Sequence, residues 1–340
     1  MQRRGFLALV GATTILVAGA VVAIARGDRA VTQVPVGEPA LPTLRAKLGE
    51  LAWVRVSHGA VVANFAQIGG KWALIEKGNY PADQGKIGRL LLALADLTLV
   101  EAKTQRAELF GRLAVEDPKL GHSTLVALQD RGGATVAELI VGNRRHDRLG
   151  GGNDGVYVRR PGSDQAWLAR GTLDIPETLV GWLDRRIIDV PAARIASVKL
   201  SDPGGGTLIL KRDAPDGAFA IENLPDDAKV KKPEALAQPA GALAELDFDD
   251  LRPAADLPVP DQGVASATFT TFDGLSVELF LFERNGTDWA AFDVSGSGGA
   301  ETEAKAIADR LSHWSYAIPA ATAKLLRTKL ADLVEPAKGS

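Results

Sequence analysis

The sequence predicts an α+β protein: two tandem related units, each a mainly antiparallel sheet with amphipathic helices, after an N-terminal transmembrane helix. Three observations predict it. Gly5 to Ala25 carries no charged residue. Short apolar–polar alternations bounded by turn residues recur through the rest of the chain, interrupted by stretches of helical period. The order of these signals then repeats at an offset of about 143 to 147 positions, much longer than the roughly 20–50 residues of a solenoid repeat. The organisation that follows is residues 1–26 as signal or anchor, 27–47 as extended linker, 48–190 and 191–336 as the two units, and 337–340 as a tail.

As a helix, Gly5–Ala25 spans about 31 Å, matching a hydrocarbon core of about 30 Å. It lacks the polar stripe of a helix lying on a soluble core. Arg3 and Arg4 form a positive n-region, and Arg3-Arg4-Gly5-Phe6-Leu7 resembles a twin-arginine export signal. Ala23-Ile24-Ala25 offers the small residues of a cleavage site, but the run exceeds a signal h-region of about 7–15 residues and favours an uncleaved anchor. Arg26 and Arg29 nearly balance the charges on the other flank, so the positive-inside rule votes only slightly for an inside N-terminus. Later apolar runs are short and broken by charge. The expectation is a single pass through a membrane, with the body on its outer side.

Gly27 to Pro42 is a spacer kept extended by Pro35, Pro39 and Pro42. Ala52–Val56, Ala60–Phe65 and Lys71–Glu76 alternate and are separated by His-Gly and Gly-Gly turns, which predicts an antiparallel meander. Ile87, Leu90, Leu91 and Leu94 then share one helical face, with Asp83 as cap. Strands are expected at Thr124–Leu128, Thr135–Val141, Val156–Arg159 and Gln165–Ala169, and a helix from Pro176 to about Ile188, proline suiting a first helical position.

The second round echoes the first. Ile195–Leu200 and Thr207–Lys211 match the first two strands, and Ala218–Glu222 matches Lys71–Glu76 with Phe219 in place of Trp72. Phe272–Phe282 matches Asp130–Val141. Trp314 and Ile318-Pro319 match Trp167 and Ile175-Pro176, each leading into an amphipathic helix. An inserted helix over Ala300–Leu311 places Ala304, Ile307, Ala308 and Leu311 on one face.

Composition narrows the chemistry. The 340 residues carry a net charge of −3 and no cysteine. That excludes disulfides, thiol catalysis and cysteine-based metal sites, and nothing forms a basic nucleic-acid footprint. His58, His122, His146 and His313 lack ligand spacing and read as turn or surface residues. The glycine loop Leu149–Val158 runs into a strand rather than a helix and lacks the Lys-Ser or Lys-Thr of a phosphate loop. The preceding Arg144–Arg148 adds local positive charge that an acidic partner would meet. Asp247, Asp249 and Asp250 lack the glycine and distal glutamate of a calcium loop and read as a solvated strand edge or turn. Glu101, Glu138 and Glu278 decorate polar strand faces, and no G-x-S-x-G elbow exists. The six tryptophans fall largely in apolar patterns and read as core. No catalytic, metal or cofactor-binding residue is assigned, and no cofactor is expected.

The anchor, "KWALIEKGNYPADQGKIGRLLLALADLTLVEAKT", the downstream "ELIVGNRR…GVYVRR" and the Trp…Ile-Pro C-terminal segment together resemble the bacterial domain-of-unknown-function 4340 family, from about Leu51 to Val334. The most specific positions are Trp72, Tyr80, Pro81 and Asp83 in the Tyr-Pro-Ala-Asp run, Gly142 and Tyr157. The resemblance implies a protein acting outside the inner membrane, encoded beside the ATPase and permease subunits of gliding-motility-type ABC transporters. It supplies no catalytic residue. Three functions stand as expectations: a non-catalytic, membrane-anchored accessory protein of a transport or envelope complex; an exported module binding a small molecule, lipid or glycan in a cleft between units; and an envelope hydrolase with scattered carboxylates. The sequence sets no oligomeric state.

Overall fold

Alternation of side chains across a pleat decides the first element: Val54 and Val56 are buried while Trp53 and Arg55 face solvent. The structure is a computed structural model that describes residues 37–121, 123–146, 154–222, 224 and 228–335. Arg3, Arg4, the apolar run 5–25 and most of the spacer lie outside the described residues. Among those described, no helix is long and apolar enough to cross a membrane.

Strands β1 (Leu51–His58), β2 (Val61–Ile68), β3 (Lys71–Leu74) and β4 (Tyr80–Pro81) come in succession. Helix α1 (Gln84–Asp96) follows. Its first turn is capped by Asp83, whose Oδ1 accepts from the Lys86 amide at 3.0 Å. The expected face of α1 is the buried one: Ile87, Leu90, Leu91 and Leu94. Then come β5 (Thr98–Thr104), β6 (Thr124–Asp130), β7 (Thr135–Arg145), β8 (Gly155–Arg159) and β9 (Ala166–Arg170). These nine strands form one sheet in the order β4-β3-β2-β1-β6-β7-β8-β9-β5.

The later chain holds β10 (Arg186–Ile188), β11 (Ile195–Ser201), β12 (Thr207–Lys211), β13 (Ala220–Ile221), β14 (Leu246–Asp247) and β15 (Asp250–Pro253). After them lie β16 (Ala265–Thr271), β17 (Leu275–Arg284), β18 (Thr287–Gly296), α2 (Glu301–Leu311), β19 (Trp314–Ala317) and α3 (Ala320–Leu326). β10 and β14 pair alone. The other strands form a sheet in the order β13-β12-β11-β16-β17-β18-β19-β15. Adding ten to each number of the first sheet, β4 aside, gives the second. In both, a meander opens the sheet, and the fifth strand crosses to the far edge before the sixth returns beside the first.

Two expectations are corrected. Pro176–Ile188 is not a helix but a run of bends, a 3-10 turn at Val180–Trp182 and strand β10. Its buried residues come as two adjacent pairs, Trp182-Leu183 and Ile187-Ile188, with none buried from Pro176 to Gly181 to start a continuous helical face. Sheet partners take them instead: Leu183 bridges Ala82, and β10 pairs with β14. Lys71–Glu76 stays a strand only to Leu74, because a 3-10 turn ending at Gly78 (φ 65°) redirects the chain into β4.

The described chain packs as two units. The first takes residues up to Leu51, with Val56–Ala60 and Arg89–Asp174; the second takes Ala52–Arg55, Val61–Gly88 and the chain from Ile175. The first contains a core of Phe110, Val115, Ile140 and Ala166. In the second, Tyr80 meets Trp314 edge-on at 5.0 Å and Phe248 at 5.7 Å, and Tyr316 packs on Phe248 and Phe292. Each such ring contributes about 1.5–3 kcal/mol by burial.

Candidate functional site

Four of the family-pattern residues come together in the second unit. β3 pairs with β4, so Ala73 faces Pro81 and Leu74 faces Tyr80. Gln84 ties this corner shut: its Oε1 accepts from the Trp72 amide at 2.8 Å, and its Nε2 donates to the carbonyls of Trp72 and Ala82. Trp72 and Tyr80 are buried, Pro81 is exposed, and Asp83 caps α1. Burial pushes the phenols of Tyr80 and Tyr316 up from their ordinary values. Among the described residues the buried Tyr316 hydroxyl has no hydrogen bond of good geometry, although the Tyr80 phenol lies close enough to act on it electrostatically. This corner holds structure.

Gly142 and Tyr157 fall in the first unit, on β7 and β8. A Cβ on Gly142 would lie 2.1 Å from the Leu113 carbonyl oxygen and 2.7 Å from Val115 Cγ1. The glycine therefore lets the helical turn Phe110–Leu113 lie directly on the strand. Tyr157 packs on the core that turn completes.

Candidate chemistry seen in the sequence is dispersed into ion pairs. Asp247 accepts from Arg186, Asp249 from Arg185, and Asp250 pairs with Lys77. Glu101 takes Lys103 and Arg145. His58 Nδ1 lies 3.1 Å from Thr124 Oγ1. Among the described residues no three His, Asp or Glu are grouped to hold a metal ion. The perturbed carboxyls Glu303 and Asp273 also belong to an ion pair: Arg194 donates to both oxygens of Glu303 at 2.8 Å and to Asp273 at 2.7 Å. Arg194 holds Glu303 below its usual range, and the Thr271 hydroxyl, then Arg194, do the same for Asp273.

Open space lies elsewhere in the second unit. A cavity of about 400 Å³ is walled by the β11–β12 hairpin on one side and the break between α3 and the helical turn Leu330–Leu333 on the other. Leu200, Leu208, Ala265 and Leu326 form a buried apolar floor. Asp202 and Lys329 meet at the rim, 3.7 Å apart. A smaller cavity of about 310 Å³ involves Leu246 and Leu325, and one of about 270 Å³ in the first unit is lined by Glu101, Arg145 and Arg170. The sequence reading missed the 400 Å³ cavity. The signal available was the Pro-Gly-Gly-Gly run at Pro203–Gly206, which lengthens a hairpin that is tight in the first round.

A family model described as a domain of unknown function (DUF4340) matches residues 72–265. The matched stretch begins at Trp72 and contains Tyr80, Pro81, Asp83, Gly142 and Tyr157. No curated protein matches the chain.

Proposed function

The chain belongs to the DUF4340 family, and from that premise we propose that it is a non-catalytic accessory protein tethered outside the cytoplasmic membrane by residues 5–25. The reading takes the two sheets as products of an internal duplication. Their shared strand order is the observation that carries it: a fold repeated with its polar residues spent on ion pairs suits a presenting or docking body better than a reaction centre. The association with an ABC transporter's permease and ATPase subunits comes from the family resemblance. Affinity purification of the full chain from detergent-solubilised membranes tests it. Permease or ATPase subunits should co-purify in fixed proportion; repeated recovery of the chain alone would remove the accessory role.

A second reading, an exported binding module, is favoured by the cavity under the β11–β12 hairpin. Its volume falls within the roughly 300–1,000 Å³ of small-molecule sites. The cavity lies wholly within the second unit. Thermal-shift screening of the purified chain against metabolite and lipid pools tests this reading.

A further inference from the structure

We propose that the cavity beneath the β11–β12 hairpin binds a short aliphatic chain ending in an anionic group, with Lys329 holding the anion. The proposal rests on the binding-module reading and adds a ligand class to it.

The cavity belongs to one copy of the repeated fold. In the first sheet the equivalent hairpin, β1–β2, turns through Gly59 and Ala60 alone. Its tip is covered: a Cβ on Gly59 would touch the Gly121 carbonyl at 3.7 Å, and His58 reaches Thr124. In the second unit the hairpin loop runs from Asp202 to Gly206. Asp202 Oδ1 accepts from the Gly204 amide at 2.7 Å, and a Cβ on Gly206 would lie 2.4 Å from Oδ2. The loop is thus wound around the Asp202 carboxylate. The opposite wall is equally built. The chain leaves α3 at Arg327 and restarts at Leu330, with Asp332 Oδ2 accepting from the Lys329 amide at 2.9 Å.

The floor and the rim ask for different chemistry. Buried leucines favour an apolar tail. At the rim both carboxylates are engaged by backbone amides, Asp202 by Gly204 and Asp332 by Lys329. The Arg327 guanidinium is engaged by Asp288. The Lys329 ammonium stands 3.7 Å from Asp202, beyond hydrogen-bond distance, and its side chain is 60% exposed. A second ammonium, Lys231, is held beside the rim by the carbonyls of Ala331 and Asp332. The Lys329 ammonium, ion-paired with Asp202 at 3.7 Å but not hydrogen-bonded to it, stands with Lys231 above an apolar floor and complements an anionic amphiphile, and a carboxylate on Lys329 would gain a charge-assisted hydrogen bond.

Calorimetric titration of the full chain in lipid nanodiscs, with empty nanodiscs as reference, tests this using decanoate, decanol and decyltrimethylammonium. Decanoate should bind saturably at one site. Lys329→Ala should weaken decanoate about tenfold and leave decanol unchanged. Thr207→Trp, at an exposed lining position, should block both. Decanol binding as tightly as decanoate, a preference for the cation, or indifference to Lys329→Ala would overturn the ligand class while leaving a binding site. No saturable binding by any probe, or binding unaffected by Thr207→Trp, would overturn the site and the binding-module reading together.

Discussion

Gly142 and Tyr316 are fixed by opposite kinds of constraint. At Gly142 the limit is space, since any side chain meets a backbone oxygen at 2.1 Å. Backbone cannot rotate away as a flexible side chain can. Gly142→Ala should therefore cost more than about 3 kcal/mol in urea-induced unfolding, among the larger single-residue effects. At Tyr316 the limit is polarity. Its ring is fully buried, and its hydroxyl left water without gaining a well-formed hydrogen bond. Tyr316→Phe keeps the aromatic contacts and removes the stranded oxygen, so it should stabilise the protein by about 1 kcal/mol. A loss of stability would mean that the hydroxyl's interaction with Tyr80 outweighs its desolvation.

At the scale of elements, α2 depends on Arg194, which ties Glu303 of the helix to Asp273 in the β16–β17 turn. Both carboxyls titrate below their ordinary values of 4.5 and 3.8. Their contribution is therefore complete above those values and lost as pH falls through the depressed folded ones. Because these side chains remain partly exposed, screening limits the effect. Arg194→Ala should cost about 1 kcal/mol at neutral pH, and the gap from the parent chain should close below about pH 4. A gap that stayed constant from pH 7 to pH 3 would mean that lost packing, not charge, explains the variant. Elements with strict periodicity were legible in advance: α1, with its Asp83 cap, and the alternating β1, β6, β7 and β11. Strand β5 was not, because Glu101, Lys103 and Thr104 in its outer half are polar on both faces and it pairs with β9, far along the chain. Strand β10 was not, because three residues give no period and its partner, β14, lies far along the chain. Of the candidate site, the acidic run was legible as a strand edge; the cavity was not, since its walls join residue 202 to residue 329.

At the scale of the whole molecule, the landmarks matched in the sequence, such as Trp167 and Trp314, occupy β9 and β19, corresponding positions of the two strand orders, which supports the duplication proposed above. Weak pairwise matches in the right order outperform any one motif, because strand order constrains where an alternating segment can recur. Among the described residues, packing on the body reaches back to Gly37 and Ala40, which donate their amides to the Leu99 and Leu97 carbonyls. A tether at residues 5–25 should then be dispensable for folding but not for location. Deleting residues 1–36 should move the protein from the membrane pellet to the soluble fraction, with thermal unfolding shifted by no more than about 2 °C. The full chain should stay with the membrane through a carbonate wash, which strips proteins held by charge but leaves a span whose removal would expose about 20 apolar residues to water. A truncated protein that still pelleted would place the membrane attachment in the body, and one that failed to fold would make the N-terminal segment part of a core.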